Sequence, residues 1–431
     1  MVVDVLIIYE LRTREIENVS LLSAELQKRG YSVRVENIYS PWLYYIEAGV
    51  VIVPHLYNDE QLNYFCNNYK HNNKHIISLQ YEQVLNDAGE DGIHNPKGEA
   101  VKAHHIAWGR AQENRYLKYG IDSSHVHITG CISMDLFRPE FDEYFKSKET
   151  IGLEFGLDNK KEWVLFISSF SYAHRTEEEL SVYEKMNPKA REFAAISDKS
   201  CLLIAEWFEK ASEKFPDKEF IYRPHPAEEN IIAIKNIEKL HKNFHVISNY
   251  SMRQWAHSCD IIYNWFSTSI VDVFYAKKTS YILRPVEIPS NLEVSILKGA
   301  NFVTTFNEFI NSLTDINVKF PIESNSIEYY YGEGMSKMAY IQTIDICEDM
   351  LNGVIVPEEF KYEKRNYSIR NVLSRFINGI LFLICKYIKL PVWIINLLGP
   401  KKKLVKIFTD DVYNISIEYK KYKDRFLSVI N

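Results

Sequence analysis

The chain has 431 residues, of which 46% are hydrophobic and 25% are charged, and its formal net charge at pH 7 is −6. This length suits two or three domains, and the composition is that of a folded globular protein, which excludes extensive disorder. The acidic balance argues against a general nucleic-acid binder, so we expect no nucleic-acid partner. The six cysteines are scattered without a CxxC pair, which favours a reducing, cytoplasmic location over a disulfide framework or a zinc knuckle.

The first half of the chain predicts strands that alternate with helices. Residues 14–30 carry apolar positions at helical spacing and end in a glycine, so they predict a helix. Short apolar runs typical of strands occur at 4–10, 31–37, 50–54, 75–82 and 125–130. Strands separated by helix-length segments indicate βαβ units and a parallel sheet. The first run has no basic stretch before it, so it reads as a strand and not as a signal peptide.

The same alternation restarts after a polar, acidic stretch at 140–152. Strands are predicted at 163–170, 219–223, 244–248, 259–265 and 279–284. Residues 199–215 predict an amphipathic helix. We therefore predict an α/β protein with two Rossmann-like parallel-sheet domains, at 1–150 and 151–350, facing a cleft. In such folds, ligands bind at the carboxyl ends of the strands.

The remaining residues, 351–431, predict a helical tail. Its segment 365–406 is both apolar and basic, but Lys386, Lys389 and Pro391 interrupt it. The uninterrupted runs fall short of the ~20 residues that a membrane span needs. Two interpretations stay open. The segment could lie in a membrane interface with its lysines reaching out, or it could form helices packed on the amino-terminal domain.

The tetrapeptide Arg223-Pro224-His225-Pro226 directly follows a predicted strand. Proline fixes φ and removes a backbone donor, so two prolines make this loop stiff and set the direction of the histidine. Arginine offers a planar fork of donors that suits phosphate, and histidine adds a donor near neutral pH. The loop therefore predicts a phosphate clamp. The alternative is a tight turn with a capping histidine.

Three hydroxyl residues, Ser267, Thr268 and Ser269, stand where a predicted strand ends and a helix begins. A helix amino terminus presents free N–H groups, and hydroxyls add further donors, so this position predicts a second anion site at the same sheet edge. The alternative is ordinary helix capping. Two anion sites at one edge favour a diphosphate or a nucleotide phosphate.

Glu82 follows a strand of the first domain and is a candidate general base for an acceptor hydroxyl, with a structural role as the alternative. Gly109 and Gly130 follow strands and are expected to allow close backbone approach near the cleft. Asp135 lies in the loop that leads to the interdomain crossing. Four further histidines, His104, His105, His125 and His127, lack metal-site spacing and are expected at the surface or in the core.

Several nucleotide and catalytic signatures do not occur in the sequence. There is no GxGxxG after the first strand, no GxxxxGK[ST] and no GxSxG. No DxD triplet stands where a divalent ion would hold a diphosphate. We therefore expect neither a bound cofactor nor a metal requirement.

Three short stretches resemble a known family. The stretch from 79 to 141 contains "LQYEQVLNDAGEDG", "AWG" and "TGCISMDLFRPEF", and it is similar to bacterial surface carbohydrate biosynthesis proteins. The later "YRPHP" and "STS" resemble the HP and S/T motifs of capsule-type glycosyltransferases with the two-Rossmann GT-B fold. That group includes Kdo transferases, bacterial polysialyltransferases and CDP-glycerol polymerases.

The resemblance implies roles for particular residues. His225, with Arg223 and the hydroxyls at 267–269, would hold the phosphate of a nucleotide-activated donor, with a CMP-linked sugar such as CMP-Kdo as the best guess. Glu82 would serve as base. The implied activity is transfer of a sugar to a surface polysaccharide or lipid-linked glycan, in the cytoplasm or on the inner face of the membrane. Two alternatives are a CDP-polyol phosphotransferase and a noncatalytic scaffold that binds glycan or nucleotide.

Overall fold

The computed structural model describes residues 1–68, 70, 75–92, 94–228, 232–315, 319–332, 337–363 and 369–430. The chain folds into two compact units. Unit 1 comprises Met1–Gln83, Gly89–Tyr144 and Glu328–Asn431, and unit 2 comprises Val84–Ala88 and Phe145–Ile327. The domains predicted at 1–150, 151–350 and 351–431 follow the sequence order, whereas the folded chain returns to unit 1 from residue 328 onward.

Unit 1 is built on a parallel sheet, six-stranded in the described residues, with the order β2-β1-β3-β4-β5-β6. Its strands are β1 (Val2–Tyr9), β2 (Val33–Asn37), β3 (Glu47–Val53), β4 (His75–Ser78), β5 (His104–Ala107) and β6 (Val126–Ile128). The central strands β1 and β3 end in continuous buried apolar runs, at 5–9 and 50–53, which is typical of strands buried on both faces.

Unit 2 is built on a second parallel sheet, also six-stranded in the described residues, with the order β12-β11-β10-β7-β8-β9. Its strands are β7 (Glu162–Ile167), β8 (Lys218–Arg223), β9 (Phe244–Val246), β10 (Ile261–Asn264), β11 (Thr279–Leu283) and β12 (Phe302–Val303). The order turns back beside β7, so the sheet has the topology of an open doubly wound α/β unit.

Helices connect the strands and cover the sheets. Those up to residue 214 are α1 (Arg12–Lys28), α2 (Asp59–Cys66), α3 (Asp87–Glu90), α4 (Arg110–Lys118), α5 (Ile132–Asp135), α6 (Lys148–Phe155), α7 (Glu177–Met186) and α8 (Ala190–Lys214). The next six are α9 (Ile232–Leu240), α10 (Met252–Ser258), α11 (Ile270–Tyr275), α12 (Phe306–Ser312), α13 (Ser324–Tyr331) and α14 (Ala339–Leu351). The last four are α15 (Ile369–Tyr387), α16 (Val392–Leu397), α17 (Lys402–Asp411) and α18 (Ile415–Val429). The predicted α/β class with two Rossmann-like units is confirmed.

The last two helices pack on unit 1, and α17 provides an acceptor for the first turn of α1. Leu11 precedes α1 and offers no capping side chain, and the free N–H of Arg12 donates instead to Asp411 Oδ1 at 2.9 Å. The hydroxyl of Tyr9 donates to the carbonyl of Asp411 at 3.1 Å. Burial raises the pKa of Asp411 to about 6. This part of the tail therefore follows the packing interpretation. Among the described residues, no helix combines the length and the apolar character needed to cross a bilayer.

Phe426 anchors α18 in the core of unit 1. Its side chain is 0% exposed, and its ring stacks on Tyr144 with centroids 4.6 Å apart. Phe426→Ala should lower the free energy of unfolding of unit 1 by about 3–5 kcal/mol, because it leaves a cavity in a packed interior. Urea unfolding checks this. Ile417→Ala, at a side chain of α18 that is 68% exposed, is the matched control and should change little. A Phe426→Ala effect as small as the control's would contradict core packing of α18.

Histidines cluster on neighbouring strands of unit 1. His104 Nδ1 lies 2.8 Å from His127 Nε2, and the His104 ring lies 4.7 Å from that of His125. Burial, together with the neighbouring histidines, lowers the pKa of His104 to about 3. Burial lowers the pKa values of His105 and His127 to about 4. In the folded unit these three rings are therefore neutral at physiological pH.

The lowered pKa values predict that these histidines make unit 1 less stable as the pH falls, whereas the raised pKa values of Asp135 and Asp411 act in the opposite direction. Below pH ~6.5 the unfolded chain binds protons at histidines that stay neutral in the folded state, so unfolding becomes more favourable as the pH falls toward about 4. Each histidine contributes up to about 1.4 kcal/mol per pH unit in this window. Urea midpoints measured from pH 7 to pH 5 check the slope. Relative to the parent chain, His127→Gln should gain stability as the pH falls from 7 to 5, and an unchanged slope in that variant would contradict the prediction.

Candidate functional site

The predicted donor-site residues lie at the carboxyl edge of the sheet in unit 2. Arg223, the last residue of β8, pairs with Ile167 of β7, which in turn pairs with Asn264 of β10. Three parallel strands thus end in register. Because neighbouring strands lie about 4.8 Å apart, the His225 loop and the hydroxyl loop begin about 10 Å from each other. The structure therefore brings both predicted loops to one edge, with the loop after β7 between them.

The ring of His225 is held in one orientation. Its Nδ1 accepts the backbone N–H of Ala227 at 3.1 Å. Burial, followed by the charges of Arg223 and Arg175, lowers the pKa of His225 below its usual value. The neutral ring that this favours must carry its proton on Nε2, because Nδ1 acts as an acceptor. His225 is half-buried and presents a single defined N–H donor.

Glu228 organises this loop, and its role was not predicted from the sequence. Its carboxylate accepts the backbone N–H of His225 at 3.0 Å and the hydroxyl of Tyr222 at 2.6 Å. Ser168 Oγ, from the loop after β7, donates to the same carboxylate. A glutamate three residues after the histidine has the spacing of a capping box, and this sequence pattern could have predicted the role of Glu228.

Arginines surround the loop with positive charge. Arg223 Nη2 donates to the carbonyl of Tyr250 at 2.8 Å, and its buried Nε has no hydrogen-bond partner among the described residues. Burial, with a smaller effect from Arg253, lowers the pKa of Arg223. Arg175, which was not predicted from the sequence, follows β7 and donates to the carbonyls of Ser171 and Ala227. This edge therefore has cationic and N–H donors on two adjacent loops, although the whole chain is acidic.

The hydroxyl loop is tied to the loop after β7. The N–H of Phe266 donates to Ser169 Oγ at 3.1 Å, and Ser267 Oγ accepts the N–H of Ser269 at 3.2 Å. Ser269 precedes α11 without a side-chain capping bond. Ser267, Thr268 and Ser269 are all half-buried. Their placement matches the predicted edge, and their role in binding stays a prediction.

Further polar groups are buried near the same edge and were not identified from the sequence. In the part of the chain that the structure describes, both side-chain amide atoms of Asn264 and Nε1 of Trp265 are buried and have no hydrogen-bond partner. Arg284, which follows β11, forms a 2.8 Å ion pair with Glu293, and burial lowers the pKa of Arg284 to about 10. An unpaired buried polar group costs about 1–3 kcal/mol, so the edge carries polar capacity that its own side chains do not use.

A cavity of about 440 Å³ in unit 2 lies away from these loops. It is lined by residues that include Phe274, Lys278 and Phe320, beside the amino end of β11. This is the opposite edge of the sheet from the His225 loop. The residues predicted for donor binding do not line it.

Glu82 lies in unit 1 within a charged cluster. Its side chain is 46% exposed, and it pairs with Arg14 at 2.7 Å and with His94 Nδ1 at 3.6 Å. Arg14 also binds Glu15 at 2.7 Å. Burial, followed by the charges of Arg115 and Arg14, lowers the pKa of His94 and outweighs the opposing effect of Glu82. The ion pair with Arg14 engages Oε1 of Glu82, while Oε2 faces His94. Its role as a base stays a prediction.

The remaining predicted residues have local partners in unit 1. A Cβ at Gly109 would lie 2.5 Å from the carbonyl oxygen of Tyr329, so only glycine fits this close backbone contact. Gly130 has φ +85°, in the left-handed region. The carboxylate of Asp135 accepts the N–H of Tyr340 at the start of α14 at 2.8 Å, and burial raises its pKa to about 6. Their assignment to a cleft stays a prediction.

Comparison with known proteins gives a likeness in fold. No protein-family model matches the chain, and no curated protein sequence is significantly similar to it. Solved structures do match. The S. aureus MnaA structure with UDP has 13% identity and a TM-score of 0.50, covering 83% of this chain and 100% of that chain. A putative UDP-N-acetylglucosamine 2-epimerase from Listeria monocytogenes has 12% identity and a TM-score of 0.51, covering 84% and 100%.

A third match is the wall teichoic acid polymerase TagF. It has 12% identity and a TM-score of 0.51, covering 81% of this chain and 89% of that chain. At these identities the likeness shows the fold alone. The GT-B-type fold that the motifs implied is therefore confirmed, with two Rossmann-like units.

Glu228→Ala should destabilise unit 2 by about 2 kcal/mol, because the buried hydroxyls of Tyr222 and Ser168 and the half-buried N–H of His225 lose a common acceptor. The midpoint of urea unfolding measures this. Glu206→Ala removes a half-exposed carboxylate from α8 in the same unit and serves as control, with an expected change below about 0.5 kcal/mol. Equal midpoints for the two variants would show that Glu228 does not hold the loop.

Proposed function

We propose that this protein is a glycosyltransferase that binds a nucleotide-activated sugar at the carboxyl edge of the unit 2 sheet. The observation that carries the proposal is the His225 loop, where a neutral ring with a fixed Nε2–H donor stands among Arg223 and Arg175. A preformed group of donors and positive charge suits a phosphate. The hydroxyls at 267–269 are on the same edge and would supply further donors.

The similar folds support a nucleotide as the ligand. The MnaA structure is a complex with UDP, and one TagF structure, with a TM-score of 0.50, comes from a soak with CDPG. We keep a CMP-linked sugar such as CMP-Kdo as the best guess, since the HP and S/T motifs resemble those of capsule-type enzymes. The acceptor would be a surface polysaccharide or a lipid-linked glycan. The six free, buried cysteines fit a reducing compartment, so we place the reaction in the cytoplasm.

In the proposed reaction, an acceptor hydroxyl oxygen attacks the anomeric carbon of the donor sugar. The bond from that carbon to the nucleotide phosphate breaks, and the phosphate leaves with the electron pair. Nε2–H of His225 and the Arg223 guanidinium would stabilise the negative charge that develops on the phosphate. Electrostatic stabilisation of this kind is usually the largest single contribution to the rate of such transfers. Glu82 would accept the hydroxyl proton if the configuration inverts.

A CDP-polyol phosphotransferase is the second candidate, favoured by the likeness to TagF. It would use the same edge but would move a phosphodiester, so its product gains phosphorus. A 2-epimerase would change its nucleotide sugar without an acceptor. A noncatalytic scaffold would bind nucleotide or glycan and show no turnover. Mass analysis of the products with and without acceptor separates these outcomes.

The test uses the full chain and measures its melting temperature with CMP, CDP, UDP and GDP compounds. A nucleotide present at 100 times its Kd should stabilise the folded state by about 2.7 kcal/mol. His225→Ala should weaken the binding roughly tenfold to a hundredfold and abolish transfer, because it removes a donor to a charged phosphate. His241→Ala, beyond the end of α9 and at the amino edge of the sheet, is the matched control. If nucleotide stabilises His225→Ala as much as the parent chain and the variant still turns over, His225 does not hold the donor phosphate.

A further inference from the structure

Helix α15 has two apolar faces, of which only one is packed. On the packed face, Phe382 and Cys385 are buried, and the Phe382 ring meets Phe408 of α17 edge-on at 5.4 Å. Gly379 faces Pro41, whose Cβ would lie 3.5 Å from a Cβ added there. Since α17 is itself fixed to α1 through Asp411, α15 is held against unit 1 with its other face outward.

The outward face is a line of exposed apolar side chains. Phe376, for example, is 65% exposed. Six of these side chains follow helical spacing: Leu373, Phe376, Ile377, Ile380, Leu383 and Ile384. With Tyr387 they form a surface about 21 Å long, which we call the apolar stripe. Trp393 and Leu397 of α16 continue the exposed apolar surface beyond it. A contiguous exposed patch of this kind marks a binding surface.

The charged side chains of the segment that carries the apolar stripe have one sign, and Asp410 lies just beyond it, near Lys406 and Lys389. From 369 to 409 the sequence has no acidic residue, although the chain as a whole has a net charge of −6. The same segment has eight basic residues: Arg370, Arg375, Lys386, Lys389, Lys401, Lys402, Lys403 and Lys406. Lys389, Lys402, Lys403 and Lys406 are exposed. The partner of this surface is therefore expected to be apolar and negatively charged.

We propose that α15 and α16 lie flat on an anionic lipid surface, with the apolar stripe in the acyl boundary and the lysines at the headgroups. An apolar helix face with flanking lysines and tryptophans is the pattern of an interfacial helix. A second copy of the chain fits less well. A two-fold interface would place this basic surface against itself, and like charges in contact oppose association. Trp42, exposed beside Pro41, supplies a further aromatic side chain of interfacial type next to α15.

The two interpretations of the tail thus apply to different helices. α17 and α18 pack on α1, whereas α15 and α16, together with the exposed lysines of α17, present the lipid-binding face. Residues 365–368 of the predicted segment 365–406 lie outside the described residues. The proposal is independent of nucleotide binding and transfer, since it concerns only this surface of unit 1.

The test is sedimentation of the full chain with vesicles of phosphatidylcholine alone and of phosphatidylcholine with phosphatidylglycerol. Binding is expected with the anionic vesicles and should weaken as salt is raised. Phe376→Ser should weaken it at least tenfold. Lys402→Ser and Lys403→Ser should each weaken it about fivefold, the factor that corresponds to one lysine at an anionic surface.

Leu153→Ser is the matched control, because Leu153 is 88% exposed on α6 of unit 2 and lies outside the apolar stripe. It should leave vesicle binding unchanged, and all variants should keep the melting temperature of the parent chain. The proposal is overturned if the chain binds neutral vesicles equally well or if Phe376→Ser binds as the parent does. It is also overturned if the chain does not bind vesicles and instead forms a dimer that the substitution Phe376→Ser dissociates.

Discussion

The common end point of β7, β8 and β10 is the constraint on which the candidate site depends. Arg223, Ile167 and Asn264 stand side by side across the sheet, so the backbone places the following loops next to each other before any side chain contributes. The spacing of the strands therefore fixes the distance between the His225 loop and the hydroxyl loop. Each loop alone is weak evidence for a binding site, but the sheet brings the two together into one candidate site.

Charge balance is the second constraint on that edge. Burial lowers the pKa values of Arg223 and His225, and repulsion between the positive groups gathered at this edge lowers them further. Glu228 sits beneath the loop and accepts its donors, while Glu179 pairs with Arg175 at 3.0 Å. The carboxylates thus accept the hydrogen bonds that hold the loop, and Nε2–H of His225 is left for the anion that we propose to bind here.

The sequence predicted the parts of the fold that depend on local pattern. The apolar runs located the longer strands to within a few residues, and the strand-loop-helix order placed His225 and the 267–269 hydroxyls at the correct sheet edge. The two-residue strand β12 carries too little pattern to be predicted. Arg175, Arg14 and Glu228 form hydrogen bonds or ion pairs with residues that are distant in sequence or across a turn. The hydropathy pattern alone therefore does not predict their roles. The return of the chain to unit 1 at residue 328 depends on tertiary packing, for which the sequence offers no local signal.

The bond from Arg12 to Asp411 joins residues that are 399 positions apart in the sequence, and this has a consequence for how unit 1 folds during synthesis. On the ribosome, most of unit 2 emerges as one continuous segment and can fold as soon as it is complete. The first turn of α1 has to wait for a partner that is synthesised 399 residues later. Unit 1 therefore remains incomplete until α17 and α18 have emerged. A nascent chain that ended before these two helices would expose the face of α1 that they cover.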